Sequence, residues 1–146
     1  MAGVVFGKLP AHGDFVSRGL RADERDALDT WLSAAMLTAR EAWADSFEDR
    51  YDRALPLRCD GPGMSGALAA SQDSAGRRYP LLALSGYGET ERIEALLYDA
   101  IAQAWTADRL ANALTSPTGA AERWYRDEGP IVPGQAPATL LVEMLR

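Results

Sequence analysis

An α+β fold, with an antiparallel sheet flanked by helices, is predicted from three features of this 146-residue chain. Two stretches, near 23–43 and 90–114, place apolar residues three and four apart, the spacing of a helix with one buried face. A continuous apolar run at 79–84 has the length of a buried strand and follows a polar, glycine-ended turn at 71–76, so a hairpin is the simplest account. A short extended run, Val4, Val5 and Phe6, opens the chain and leads into a loop.

That loop, 6–16, is the densest stretch of special residues: Gly7, Lys8, Pro10, His12, Gly13 and Asp14. Pro10 biases Leu9 towards an extended backbone. Gly7 and Gly13 are able to take positive φ, and Asp14 is suited to bonding nearby amides. The loop either joins a strand to a helix or presents Lys8, His12 and Asp14 as a recognition surface, with Lys8 and His12 expected to be exposed.

The first helix is expected to start near Asp23, where acidic groups meet the positive end of its dipole. Leu28, Trp31, Leu32, Ala35, Ala39, Ala42 and Trp43 form its apolar face, the tryptophans serving as core rather than as a ligand platform. Residues 48–53 are charged and read as a solvated turn. Pro56 demotes 54–59 to an edge strand or a strand entry. Residues 61–66 read as a tight loop and 67–70 as a strand, with 79–84 in the middle of the sheet.

The second helix is expected from Thr90, Glu91 and Glu94, with one face running from Ile93 to Leu114 and a stop at Pro117 and Gly119. A short strand carrying Trp124 at 122–126, a proline-rich loop at 127–137 and a last apolar segment at 139–145, strand or helix, complete the chain.

Composition supports one domain over 1–146 with enough chain to bury a core. A net charge of −6 disfavours nucleic acid, whose phosphates are bound largely by Lys and Arg. A single cysteine, Cys59, cannot form an internal disulfide. With no secretory signal and no apolar run of membrane-spanning length, the expected location is the cytoplasm.

Several motifs fail on chemistry. Gly61, Gly63 and Gly66 match the spacing of a dinucleotide loop, but only nine residues separate Gly66 from Gly76, too few for a crossover helix. Ser65 lies in a near miss of the nucleophile elbow, yet His12 precedes it and no other histidine exists. One histidine and one cysteine do not build a usual zinc site, so no metal or cofactor is expected. Asp14 and Asp73 could act as an acid and base pair, or each could brace its own turn or pair with Arg77 or Arg78. The two turns are expected to meet at one end of the sheet, with Asp14 paired to Arg77.

Two strings, GKLPAHGDFV from Gly7 and SQDSAGRRYPL from Ser71, resemble the signature segments of the TagF family, also called ImpM, which accompanies type VI secretion systems. The matching residues are Gly7, Lys8, Leu9, Pro10, Gly13, Asp14, Phe15, Ser71, Asp73, Gly76, Arg77, Tyr79 and Pro80. Asp29, Trp31 and Leu32 resemble the family's first-helix pattern, whereas Leu28, Cys59 and Ala70 depart from it. The resemblance implies a longin-like or profilin-like domain, a curved antiparallel sheet between helices. It also implies a non-enzymatic, post-translational repressor of type VI secretion, acting in some systems through a forkhead-associated scaffold protein. The partner surface is then expected at Lys8, Pro10, His12, Gly13 and Asp14 and at Ser71, Asp73, Gly76 and Arg77. The rival readings are a small hydrolase using Asp14 and Asp73, and a structural part of the secretion baseplate.

Overall fold

The computed structural model of the chain describes residues 2–86 and 88–146. Seven strands form one antiparallel sheet: β1 (Val4–Gly7), β2 (Val16–Arg18), β3 (Leu57–Gly61), β4 (Met64–Ala69), β5 (Leu81–Ser85), β6 (Arg123–Tyr125) and β7 (Val132–Pro133). Their spatial order is β2-β1-β5-β4-β3-β6-β7. The α+β expectation is met, and the apolar run at 79–84 supplies β5 in the interior of the sheet.

Strand alternation sorts the core into two halves, because successive side chains point to opposite faces. Phe6, Leu82, Leu68 and Leu57 are register partners across four strands and lie on one face. There they meet Leu32, Met36 and Ala39 of α1 (Ala22–Trp43), Phe47 and Tyr51 of α2 (Phe47–Asp52), and Leu140, Leu141 and Met144 of α5 (Leu140–Met144). The neighbouring register row is Val5, Ala83 and Ala67. Its small side chains let α3 (Thr90–Ala102) and α4 (Ala107–Asn112) approach closely through Ile93, Leu97, Ala100 and Leu110. The row continues through Arg58 to Tyr125 of β6, and the Arg58 guanidinium bonds Glu94 and Asp127, both at 2.7 Å.

α1 begins one residue before Asp23, and the Arg21 amide donates to the Glu24 carboxylate at 2.9 Å. Ala42 is exposed rather than part of the buried face. The tryptophans pack as expected: Trp124 is fully buried, while the Trp31 and Trp43 indoles donate to the Pro137 and Val142 carbonyls. These two bonds tie the C-terminal segment to α1.

Four expectations need correction. Residues 48–53 are not a solvated turn, because Phe47 and Tyr51, four apart and stacked at 5.7 Å, bury one side of a short helix. Of the two readings of 54–59 the edge strand fails and the strand entry holds: Pro56 stands just before β3, leaving every amide of Leu57–Gly61 able to pair between β4 and β6. The loop expected at 61–66 shrinks to Pro62 and Gly63, since Met64 already belongs to β4 and is buried. The helix expected over 90–114 is two helices, broken where Ala104 takes φ 51°. Thr106 restarts it, accepting the Arg109 amide on its hydroxyl as an N-cap. The segment left open at 139–145 is helical. Among the described residues no helix is long and apolar enough to cross a membrane.

Candidate partner-binding site

β1 ends at Gly7, whose φ of +125° suits glycine and whose missing side chain matters: a Cβ there would run into the Pro80 carbonyl oxygen. That close approach brings the loop after β1 against the β4–β5 connection. The Lys8 amide donates to the Pro80 carbonyl, and the Ser71 hydroxyl donates to the Lys8 carbonyl at 2.7 Å. Ser71 is itself gripped by Tyr51, whose hydroxyl donates to the Ser71 carbonyl at 2.8 Å and accepts the Ser71 amide at 3.0 Å.

Asp73 is the hub of the second loop. Its Oδ1 accepts the amides of Ala75 and Arg77, both at 3.0 Å, and its Oδ2 accepts Arg77 Nε at 2.8 Å. Lys8 Nζ lies 3.1 Å from the same Oδ2, with side-chain exposures of 9% for Lys8 and 0% for Asp73. Desolvation alone would raise the Asp73 carboxyl, but the bonds from the Arg77 amide, Lys8, the Ala75 amide and the Arg77 guanidinium outweigh it and hold it at about 2. Gly76, at φ +81°, closes the turn by donating its amide to the Asp73 carbonyl at 3.0 Å.

The two loops meet as expected, but through other atoms. The Ser74 amide donates to the His12 carbonyl at 2.8 Å, and Arg77 Nη2 donates to the Gly13 carbonyl at 2.8 Å. Asp14 does not pair with Arg77; its carboxylate accepts the Phe15 amide at 2.7 Å, while Asp73, in Arg77's own turn, takes the guanidinium. Lys8 is buried rather than exposed, because Asp73 neutralises it and the Phe15 ring covers it with a centroid 4.8 Å from Nζ. His12 is half-buried, since its Nε2 accepts the Ala107 amide at the start of α4 at 3.1 Å. Gly13 does not take a positive φ; Gly7 does. Pro10 is half-buried beside the fully buried Leu9.

Beside this junction lies an open depression of about 360 Å³ lined by Phe15, Ser33, Met36, Leu37, Arg40, Arg78 and Tyr79. Phe15 meets Tyr79 edge-on at 4.7 Å, and burial pushes the Tyr79 phenol up to about 12. Arg78 is held by a two-pronged bond to Asp52, both contacts at 2.8 Å. Sequence reasoning passed over Leu37 and Arg40, because an exposed leucine and arginine within a helix carry no signal until a neighbouring loop is placed. Among the described residues no group of three His, Cys, Asp or Glu side chains is placed to hold a metal ion.

The fold and this junction define an antiparallel α+β domain whose two signature loops are clasped by a buried ion pair. Residues 4–126 match the TagF N-terminal domain, type VI secretion system-associated, and the chain belongs to that family. The fold is shared with the crystal structure of PA0076 from Pseudomonas aeruginosa PAO1, solved at 2.05 Å. That likeness has a TM-score of 0.67 at 22% identity and covers 99% of this chain and 76% of that one. No curated protein matches the sequence.

Proposed function

We propose that this chain regulates a bacterial type VI secretion system in the cytoplasm by binding one of its protein components, without catalysing a reaction. The observation that carries the reading is how the signature residues are spent. Lys8, Ser71 and Asp73, the groups best suited to chemistry, are buried and bonded to one another or to backbone, so they shape a surface rather than meet a substrate. Asp73 stays charged with four donors on it, which speaks against the acid and base pairing with Asp14 that a hydrolase would need. Among the side chains that the two loops leave in solvent are Asp14, Phe15, Gln72, Ser74 and Arg77, groups suited to contact with another protein.

The family supports the secretion context, and the resemblance of the two signature segments supports repression, with a forkhead-associated scaffold protein as the partner of first choice. The test is affinity capture of the tagged chain from its native cell after cross-linking, beside an assay of secreted effector. Capture of a type VI component, with secretion falling when the chain is overproduced, is the expected result. Capture of assembled baseplates at fixed stoichiometry, with secretion lost on deletion, would instead establish a structural part.

A further inference from the structure

The depression beside the signature loops has a floor and a rim of different character. Met36 and Tyr79 are buried beneath it, whereas Phe15 and Leu37 stand 47% and 58% exposed at its edge. Two large exposed apolar side chains on one concavity are a binding feature rather than scattered surface. The rim charge is equally specific. Arg78 is already neutralised by Asp52 and Glu48, but Arg40 makes no ion pair among the described residues and lies over the Phe47 ring at 4.4 Å. Asp29, which accepts the Ser33 hydroxyl, adds a further negative charge on the α1 side. One free guanidinium among carboxylates repels a polyanion such as a nucleic acid or an anionic bilayer, yet it suits a single carboxylate.

We infer that this depression docks a segment of a protein partner that carries a bulky apolar side chain next to an acidic residue. The apolar group seats between Phe15 and Leu37 over Tyr79, and the carboxylate accepts from Arg40. The inference rests on the protein-binding reading above and names the chemistry of its partner. It also moves part of the contact surface onto α1, which the signature loops alone do not indicate.

The probe is a capped peptide bearing Asp-Leu-Phe-Asp between Gly-Ser flanks, titrated into the whole chain by NMR, with Lys-Leu-Phe-Lys in the same flanks as control. Expected are shifts clustered at Phe15, Leu37, Arg40 and Tyr79 for the acidic peptide, at least fivefold weaker binding by Leu37→Asp and Arg40→Glu, and recovery of Arg40→Glu binding with the basic peptide. Both positions are exposed; Leu37→Asp should melt close to the wild type, whereas Arg40→Glu gives up its contact over the Phe47 ring and reverses a charge in the last turn of α1, so binding is compared at a temperature where melts show all three proteins folded. Shifts elsewhere, equal affinity in the variants, or no binding of the acidic peptide at millimolar concentration overturns the inference. The same variants in cellular capture separate the two claims: if the wild type captures a secretion component and both variants capture it equally, only the docking chemistry fails. If the wild type captures none, the binding reading fails.

Discussion

Lys8 and Asp73, on separate loops, form a 3.1 Å ion pair that is almost wholly withdrawn from water. The pair is asymmetric. Asp73 keeps three other donors if Lys8 is lost, whereas among the described residues the Lys8 ammonium has Asp73 as its only ion-pair partner and otherwise faces the Phe15 ring. A buried charge left without its partner is costly, so Asp73→Ala should be worse than Lys8→Met. We expect the melting temperature to fall on the order of 10 °C for Asp73→Ala and by roughly half of that for Lys8→Met. Thermal melts of the two variants side by side decide the order, and a larger loss for Lys8→Met would overturn the asymmetry, showing that the fold depends more on the ammonium than on the carboxylate that neutralises it.

The same carboxylate sets an acid limit. Its pKa is lowered on folding from 3.8 to about 2, so the stabilisation is fully present above the unfolded value and is lost as pH falls through the folded one. Denaturant midpoints of wild type and Asp73→Asn should differ most above about pH 5 and converge between pH 4 and pH 2. Asp52, lowered by its bond to Arg78, contributes to the wild-type slope but is common to both proteins and cancels in the difference. A gap independent of pH would mean that Asp73 is not charged in the fold.

Backbone strain separates the two loop glycines. Gly7→Ala would force a side chain into the Pro80 carbonyl at φ +125° and should leave little folded protein at 37 °C. Gly13 lacks a positive φ, and a Cβ there would sit 3.4 Å from Ser74 Oγ, an ordinary contact. Gly13→Ala should therefore change stability by no more than about 0.5 kcal/mol. Soluble yield and denaturant midpoints of the pair test this, and an unfolded Gly13→Ala would contradict the loop geometry.

What was legible in the sequence follows from which forces act locally. β1 and β5 were readable because short apolar runs bounded by turn residues have few other uses, and Trp124 marked β6 because aromatic residues favour strands even between charges. The break between α3 and α4 was not, because Ala104 bends the chain without a proline or glycine to announce it. α2 hid behind its own charges, which fill the exposed side of a helix whose buried side holds only Phe47 and Tyr51. At the site, the density of special residues foretold that the two loops matter and that they meet. Their pairing was not foretold: a lysine is almost never buried unless paired, and the partner that buries Lys8 lies on the distant loop. Asp73 braces its own turn and pairs with Arg77, one of the readings offered for that aspartate, which leaves Asp14 without the arginine also assigned to it.

His12 shows how a residue that reads as a surface ligand becomes a structural one. Its Nε2 accepts the Ala107 amide at 3.1 Å, which requires the ring proton on Nδ1 and makes His12 a non-local cap for α4. Ala107 is wholly buried behind the half-exposed imidazole, which both satisfies its amide and shields it from water. His12→Ala should then cost about 1 kcal/mol, the usual loss for a helix cap, rather than the near-zero change of an exposed site. His12→Asn is too short to reach and should resemble the alanine variant. Hydrogen exchange gives the local readout: the Ala107 amide should lose protection in both variants, while Leu97 amide protection, deep in α3, falls only by the global change. Unaltered protection at Ala107 together with an unaltered midpoint would return His12 to the surface and make it available for partner contact.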